Sequence, residues 1–165
     1  ALRFVQGHAG ALGLDPARIV LMGHSAGAHL AALVGAEPAA FATPPLAGIV
    51  ALDSGAYDVS ARMQARIVPR LYRDAFGTDP AFWAAVSPSA QVRAPVHDWL
   101  LVCSTERPAA CPETEGFARA LGRATPKVTV LPVALSHRAI NVETGDPASP
   151  VTAALDAFLR RIGLP

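Results

Sequence analysis

A single lysine, Lys127, stands among 14 basic residues, and the formal net charge is only +1. No basic face can be assembled from that balance, so a nucleic-acid partner is not expected. Charged residues are scarce, at 16%, while hydrophobic ones reach 52%. That composition excludes disorder and supplies a sizeable core. No apolar run reaches the ~18 residues that a membrane helix needs, so no membrane partner is expected either. Two cysteines, Cys103 and Cys111, are too few for a disulfide framework. They are close enough to pair in an oxidising compartment, but two free thiols are the favoured reading. The chain opens Ala1-Leu2-Arg3-Phe4, without a starting Met or a charged-then-apolar leader. A truncated or processed chain is therefore expected, and the cytoplasm is favoured over secretion. With 165 residues, no repeat and no linker, residues 1–165 read as one domain.

The apolar pattern alternates between short strands and helices. Residues 1–12 carry Leu2, Val5, Ala9 and Leu12 on one helical face. Arg18–Met22 is a short apolar run of the kind a buried parallel strand shows. Further strands are expected at Gly48–Leu52, Asp98–Cys103 and Lys127–Val133. Helices are expected at Ala28–Gly35, over 113–123 and at Ser149–Ile162. Residues 58–86 are mixed, with short helical patches and no clear strand. This order predicts an α/β fold: a short, mainly parallel sheet of about four strands flanked by helices. The strands should lie side by side in chain order.

Gly23-His24-Ser25-Ala26-Gly27 matches G-x-S-x-G. A buried strand runs into it and a helix runs out, which is the setting of a nucleophile elbow. Glycine lacks Cβ, so both glycines are expected to let the turn close. Ser25 is then held strained, with its Oγ above the sheet. The Ala26 N–H, at the start of the helix, faces the place where an oxyanion would form.

With these residues in view, the sequence resembles the α/β-hydrolase superfamily, most of all its small carboxylesterases of the feruloyl-esterase-like and arylformamidase-like branch. The likeness runs from Gly13 through the elbow to Ala31. It continues through Ile49–Asp53, Gly55–Asp58, Phe82-Trp83 and Ser87-Pro88 to Leu135–Asn141. It covers nearly the whole chain but only the C-terminal part of that fold, so the resemblance implies a truncated α/β-hydrolase fold.

The general base must be a histidine that takes the serine proton and later returns it. His137 follows the last strand, and Leu135-Ser136-His137 matches the family's histidine loop. His24 is the variable elbow residue, His29 lies one turn into the next helix, and His8 and His97 carry no motif. No histidine pair stands at a metal-ligand spacing with a carboxylate, so no metal and no cofactor are expected. The third member should be an acid that orients the imidazole. The family's Asp would fall at Pro108 or Ala109, and neither can serve. Glu106 is the nearest carboxylate and the expected acid. Asp53, just after the second strand, is the second candidate; some lipases of this fold place their acid there.

The family's His-Gly-Gly-Gly-type loop, which supplies a second oxyanion donor, has no counterpart in residues 1–18. The Ser25 strand is expected at an exposed sheet edge, which predicts a homo-oligomer covering that edge. Residues 58–76 are the only other material that could cover it. Phe41, Tyr57, Phe76 and Trp83 are candidates to line a substrate pocket, with core packing the commoner role for each. The expected function is a serine ester hydrolase acting on a small-molecule ester with a short chain. Amide or formamide hydrolysis at the same site, a catalytically silent interaction module and acyl transfer are the alternatives.

Overall fold

The structure, a computed structural model, describes residues 1–41, 46–93, 97–122 and 127–165. Four strands form one sheet: β1 (Val20–His24), β2 (Gly48–Leu52), β3 (Asp98–Ser104) and β4 (Val128–Val133). They lie in the order β1-β2-β3-β4, all parallel, as the alternating pattern implies. β2 and β3 are central; β2 is apolar throughout and β3 from Trp99 to Cys103, because both faces of a parallel sheet are covered.

Side chains alternate between two cores, as the two-residue period of a strand requires. Ile49, Ala51, Trp99 and Leu101 face one layer, formed by α2 (Ala26–Ala36) and α7 (Ala110–Gly122). There Phe117 meets Trp99 edge-on at 5.5 Å and stacks on Tyr57 at 4.7 Å. Val50, Leu52, Leu100 and Val102 face the other layer, formed by α8 (His137–Val142) and α9 (Pro150–Arg161).

Several elements differ from expectation for local reasons. The first helix, α1 (Leu2–Gly7), stops well short of residue 12. Glycines at 7 and 10 weaken its continuation, and the chain turns through residues 8–13. β1 runs two residues further than expected, into the elbow itself. The helix expected over 113–123 starts earlier, at Ala110; its last position, 123, lies outside the described residues. The mixed stretch resolves into α3 (Val59–Met63), α4 (Arg70–Phe76) and α5 (Pro80–Ala85), followed by α6 (Pro88–Gln91). Ser87 ties these together. Its Oγ accepts the Val59 and Ser60 N–H groups and donates to the Trp83 carbonyl at 2.7 Å.

One further expectation is corrected. Cys103 and Cys111 form a disulfide rather than two free thiols. The loop between them turns back into α7, which brings their Cα atoms to 5.1 Å. Residues 58–76, the alternative cover for β1, leave Met22 48% exposed, and α4 borders a cavity beside Ser25 instead.

Candidate active site

The carboxyl ends of all four strands converge on one site. Ser25 ends β1 at φ 57°, ψ −116°, a backbone conformation that costs a non-glycine residue on the order of 1–3 kcal/mol. The strain is held by neighbours: the Ser25 N–H donates to the Leu52 carbonyl at 2.9 Å. Of the two elbow glycines, only Gly23 is required sterically. A Cβ there would lie 2.2 Å from the Gly27 carbonyl oxygen, whereas one on Gly27 meets nothing within 4 Å. The expectation that both glycines relieve a clash is corrected accordingly.

His137 opens α8, and Ser136 caps that helix through its Oγ, which accepts the Ala139 N–H at 3.1 Å. The imidazole Nε2 lies 2.9 Å from Ser25 Oγ, and Nδ1 lies 2.6 Å from Asp53 Oδ2. A carboxylate at that distance from Nδ1 requires the proton on Nδ1. Nε2 is thereby left as the acceptor facing Ser25. His24 braces this arrangement from below. Its Nε2 donates to the His137 carbonyl at 2.8 Å, and the two rings lie 4.4 Å apart. Burial holds the His24 pKa below its ordinary value and outweighs that hydrogen bond. A neutral ring under His137 adds no charge to repel an imidazolium.

The structure places Asp53, and not Glu106, against His137. Glu106 is exposed, and its described hydrogen bond runs through the main chain, from its N–H to Ser104 Oγ at 3.2 Å. Asp53 is fully buried and sits at φ 54°, a second strained corner directly beside Ser25. Its N–H continues the sheet ladder to the Val102 carbonyl at 2.8 Å. The physical reason for the correction is reach. β2 lies between β1 and β3, so its end delivers a short side chain straight under the imidazole. The 104–110 loop instead turns Glu106 outward.

Arg107, from that same loop, takes part in the site without having been expected there. Its Nη1 donates to Asp53 Oδ2 at 2.6 Å and to the Asp53 carbonyl at 3.2 Å, and lies 3.1 Å from His137 Nδ1. Oδ2 therefore accepts from both the guanidinium and the imidazole, while Oδ1 accepts the Ser104 N–H at 2.9 Å. Burial alone would raise the Asp53 pKa. The Ser104 N–H, His137 and Arg107 together outweigh burial and hold it below its ordinary value. Asp53 is ionised at neutral pH. A loop arginine carries no pattern by which sequence could have identified it.

Beside Ser25 lies a cavity of about 100 Å³. Ala26 lines it at the first position of α2, where a helix leaves its N–H without an intrahelical partner. Leu71, Ala75 and Phe76 of α4 form an apolar wall, and Gly55, Tyr72 and Arg107 form a polar one. Of the four aromatic candidates, only Phe76 lines the cavity. Tyr57 is core, and Trp83 supports α4 by donating its indole N–H to the Phe76 carbonyl at 3.0 Å. His29, also at the cavity, spends its Nε2 on the Val86 carbonyl at 2.8 Å, and burial lowers its pKa. Among the described residues, no group of three or more His, Cys, Asp or Glu side chains could hold a metal ion.

Residues 1–68 match the family model BD-FAE, an α/β-hydrolase esterase family. Among solved structures, the chain is similar to the thermophilic esterase Est2 of Thermogutta terrifontis with butyrate bound. Identity is 28% and the TM-score 0.75, over 98% of this chain and 63% of that one. The same esterase phosphonylated by sarin aligns at 26% identity with a TM-score of 0.77, over 98% and 63%. Carboxyl esterase 2 of Tuber melanosporum shares the fold at 19% identity and a TM-score of 0.76, over 98% and 58%. The chain thus spans under two thirds of the length of the structures it matches. No curated protein sequence matches it.

Proposed function

We propose that this chain, which resembles α/β-hydrolase esterases over under two thirds of their length, hydrolyses small carboxylic esters through an acyl-enzyme on Ser25. One observation carries the reading: a continuous relay from Ser25 Oγ to His137 Nε2 at 2.9 Å, and from Nδ1 to Asp53 Oδ2 at 2.6 Å. Ser25 Oγ attacks the ester carbonyl carbon as His137 Nε2 takes its proton. The carbonyl electron pair moves onto oxygen, where the Ala26 N–H stabilises it. Collapse breaks the bond to the alkoxy group, which leaves as the alcohol with the proton from Nε2. Water then gives a proton to Nε2 and its oxygen to the acyl carbon. A second collapse frees the carboxylic acid and restores Ser25. Asp53 acts through His137, holding its tautomer and balancing the imidazolium.

The small cavity favours short acyl groups, since long chains need an enclosing groove. The neighbouring esterase holds butyrate in one structure and propionate in another, which supports the same size class here. A silent module is the competing reading, and Arg107 favours it by drawing on the carboxylate that His137 needs. Exposure of the chain and of Ser25→Ala to a fluorophosphonate, read by intact mass, separates the two. One adduct on the wild type and none on the variant is the expected result. A folded wild-type chain that takes no adduct would overturn the esterase reading.

A further inference from the structure

The polar wall of the cavity carries more hydrogen-bond donors than the ester reaction uses. A Cβ placed on Gly55 would lie 2.7 Å from the Tyr72 hydroxyl oxygen and 3.0 Å from Arg107 Nη2. Two donors therefore converge where any other residue would carry a side chain, on a wall shared with Ser25. Every described hydrogen bond of Arg107 to another side chain or carbonyl runs through Nη1. Among the described residues, Nη2 and Nε have no hydrogen-bond acceptor, and neither does the Tyr72 hydroxyl.

The surrounding charges are balanced in pairs. Asp53 is buried and turns its lone pairs toward Ser104, His137 and Arg107. Glu113, whose Oε2 lies 3.9 Å from the same point, is ion-paired with Arg62. Arg62 in turn bonds the Gly55 carbonyl at 3.2 Å and lies over the Tyr72 ring at 5.3 Å. What this wall offers a substrate is thus a guanidinium edge and a hydroxyl. A guanidinium edge with a neighbouring O–H matches a carboxylate, which accepts several charge-assisted hydrogen bonds at once.

We infer that the acyl side of the site takes short esters ending in a free carboxylate, the half-esters of small dicarboxylic acids, held by Arg107 and Tyr72. The inference rests on the esterase reading and adds the substrate's chemical class. Leu71, Ala75 and Phe76 pack the methylenes, the carboxylate meets the Gly55 wall, and the ester carbonyl stays at Ser25.

The probes are mono(4-nitrophenyl) succinate and 4-nitrophenyl butyrate, which match in acyl length and differ at the terminus. In the wild type, kcat/KM for the succinate half-ester should equal or exceed that for the butyrate ester. The ratio of the two should fall at least tenfold in Arg107→Met and about fivefold in Tyr72→Phe. Gly55→Ala, which pushes the two donors apart, should lower it likewise. Because Arg107 also touches Asp53, the ratio is the readout and the absolute rate is not. A second measurement does not depend on turnover. Calorimetry on Ser25→Ala should give succinate at least tenfold tighter than butyrate, with the difference lost when Tyr72→Phe is added. Hydrolysis of the butyrate ester with an unmoved ratio would overturn the inference and leave the esterase reading intact. Succinate selectivity on Ser25→Ala without hydrolysis by the wild type would do the reverse.

Discussion

Replacing Asp53 with asparagine tests the relay at its least expected member. The carboxylate has three partners: Ser104 N–H at 2.9 Å on one oxygen, and Arg107 and His137, each at 2.6 Å, on the other. An asparagine whose carbonyl keeps the Ser104 bond must turn its NH₂ toward Arg107 and His137. A donor facing Nδ1 reverses the imidazole tautomer, so that Nε2 carries the proton and can no longer take one from Ser25. Tautomer reversal of this kind costs about 10⁴-fold in kcat, or roughly 5.5 kcal/mol of barrier. Stability should fall less. Removing one partner of a fully buried ion pair costs about 3–5 kcal/mol, but the Arg107 side chain is 33% exposed and can recover water, so a loss nearer ~2 kcal/mol is expected. For a chain of this size that lowers Tm by about 4–8 °C. Glu106→Gln, at an exposed side chain, should stay within about twofold of wild type. The assays are 4-nitrophenyl butyrate turnover and fluorophosphonate labelling rate, run beside thermal melts. A folded Asp53→Asn within tenfold of wild type, or a Glu106→Gln that loses activity, would refute the assignment of the acid.

Further outcomes follow from the same geometry. Asp53 has a folded pKa below its ordinary 3.8, so its contribution to stability is complete above that value and is lost as pH falls through the lower folded value. Acid titration of the melting temperature should therefore be steeper below about pH 4 for wild type than for Asp53→Asn; parallel curves would count against the buried charge. Gly23→Ala should abolish labelling of Ser25 or prevent folding, because its Cβ would overlap the Gly27 carbonyl, whereas Gly27→Ala should label normally. Equal behaviour of the two variants would contradict the elbow geometry. The Cys103–Cys111 disulfide closes a loop of eight residues' separation, which constrains the unfolded chain by about 2–3 kcal/mol. Thiol titration of the unfolded, unreduced chain should find no free thiol, and Cys103→Ser with Cys111→Ser should melt about 5–10 °C lower.

The sheet was legible in the sequence because its signals are local. Gly48–Leu52 is apolar at every position, so β2 has the expected bounds, and G-x-S-x-G between an apolar run and an alanine-rich helix placed Ser25. His137 was legible because it follows the last strand. α8 was not, since six residues opened by a Ser136 cap give too short a period to read. The acid was misplaced for a different reason. Proximity along the 104–110 loop favoured Glu106, but the contact is made across strands, and a linear reading cannot rank two strand ends by their distance from one imidazole. Arg107 shows the same blindness. Its role comes from Nη1 reaching Asp53 over 54 positions of separation, and a lone loop cation says nothing about that. The cysteine pair was misjudged because its closure depends on how the loop turns back into α7.

The sheet ladder runs one rung past its strands, from Ser25 N–H to Leu52, from Asp53 N–H to Val102 and from Thr105 N–H to Val133. Each strand end is thereby pinned to the next before the chain departs. Ser25 and Asp53 are then separated by the spacing of adjacent strands, about 4.8 Å, and no loop has to define it. The His137 imidazole above them meets whatever carboxylate the strand ends deliver to that place. The family resemblance implies a carboxylate from the loop after the third strand; here Asp53 reaches that place from the corner after the second. The loop after the third strand supplies a guanidinium to the same place, with Arg107 Nη1 at 2.6 Å from Asp53 Oδ2. Parallel strand ends in register thus act as a ruler: the sheet, and not the loops, sets how far apart the side chains of this site stand.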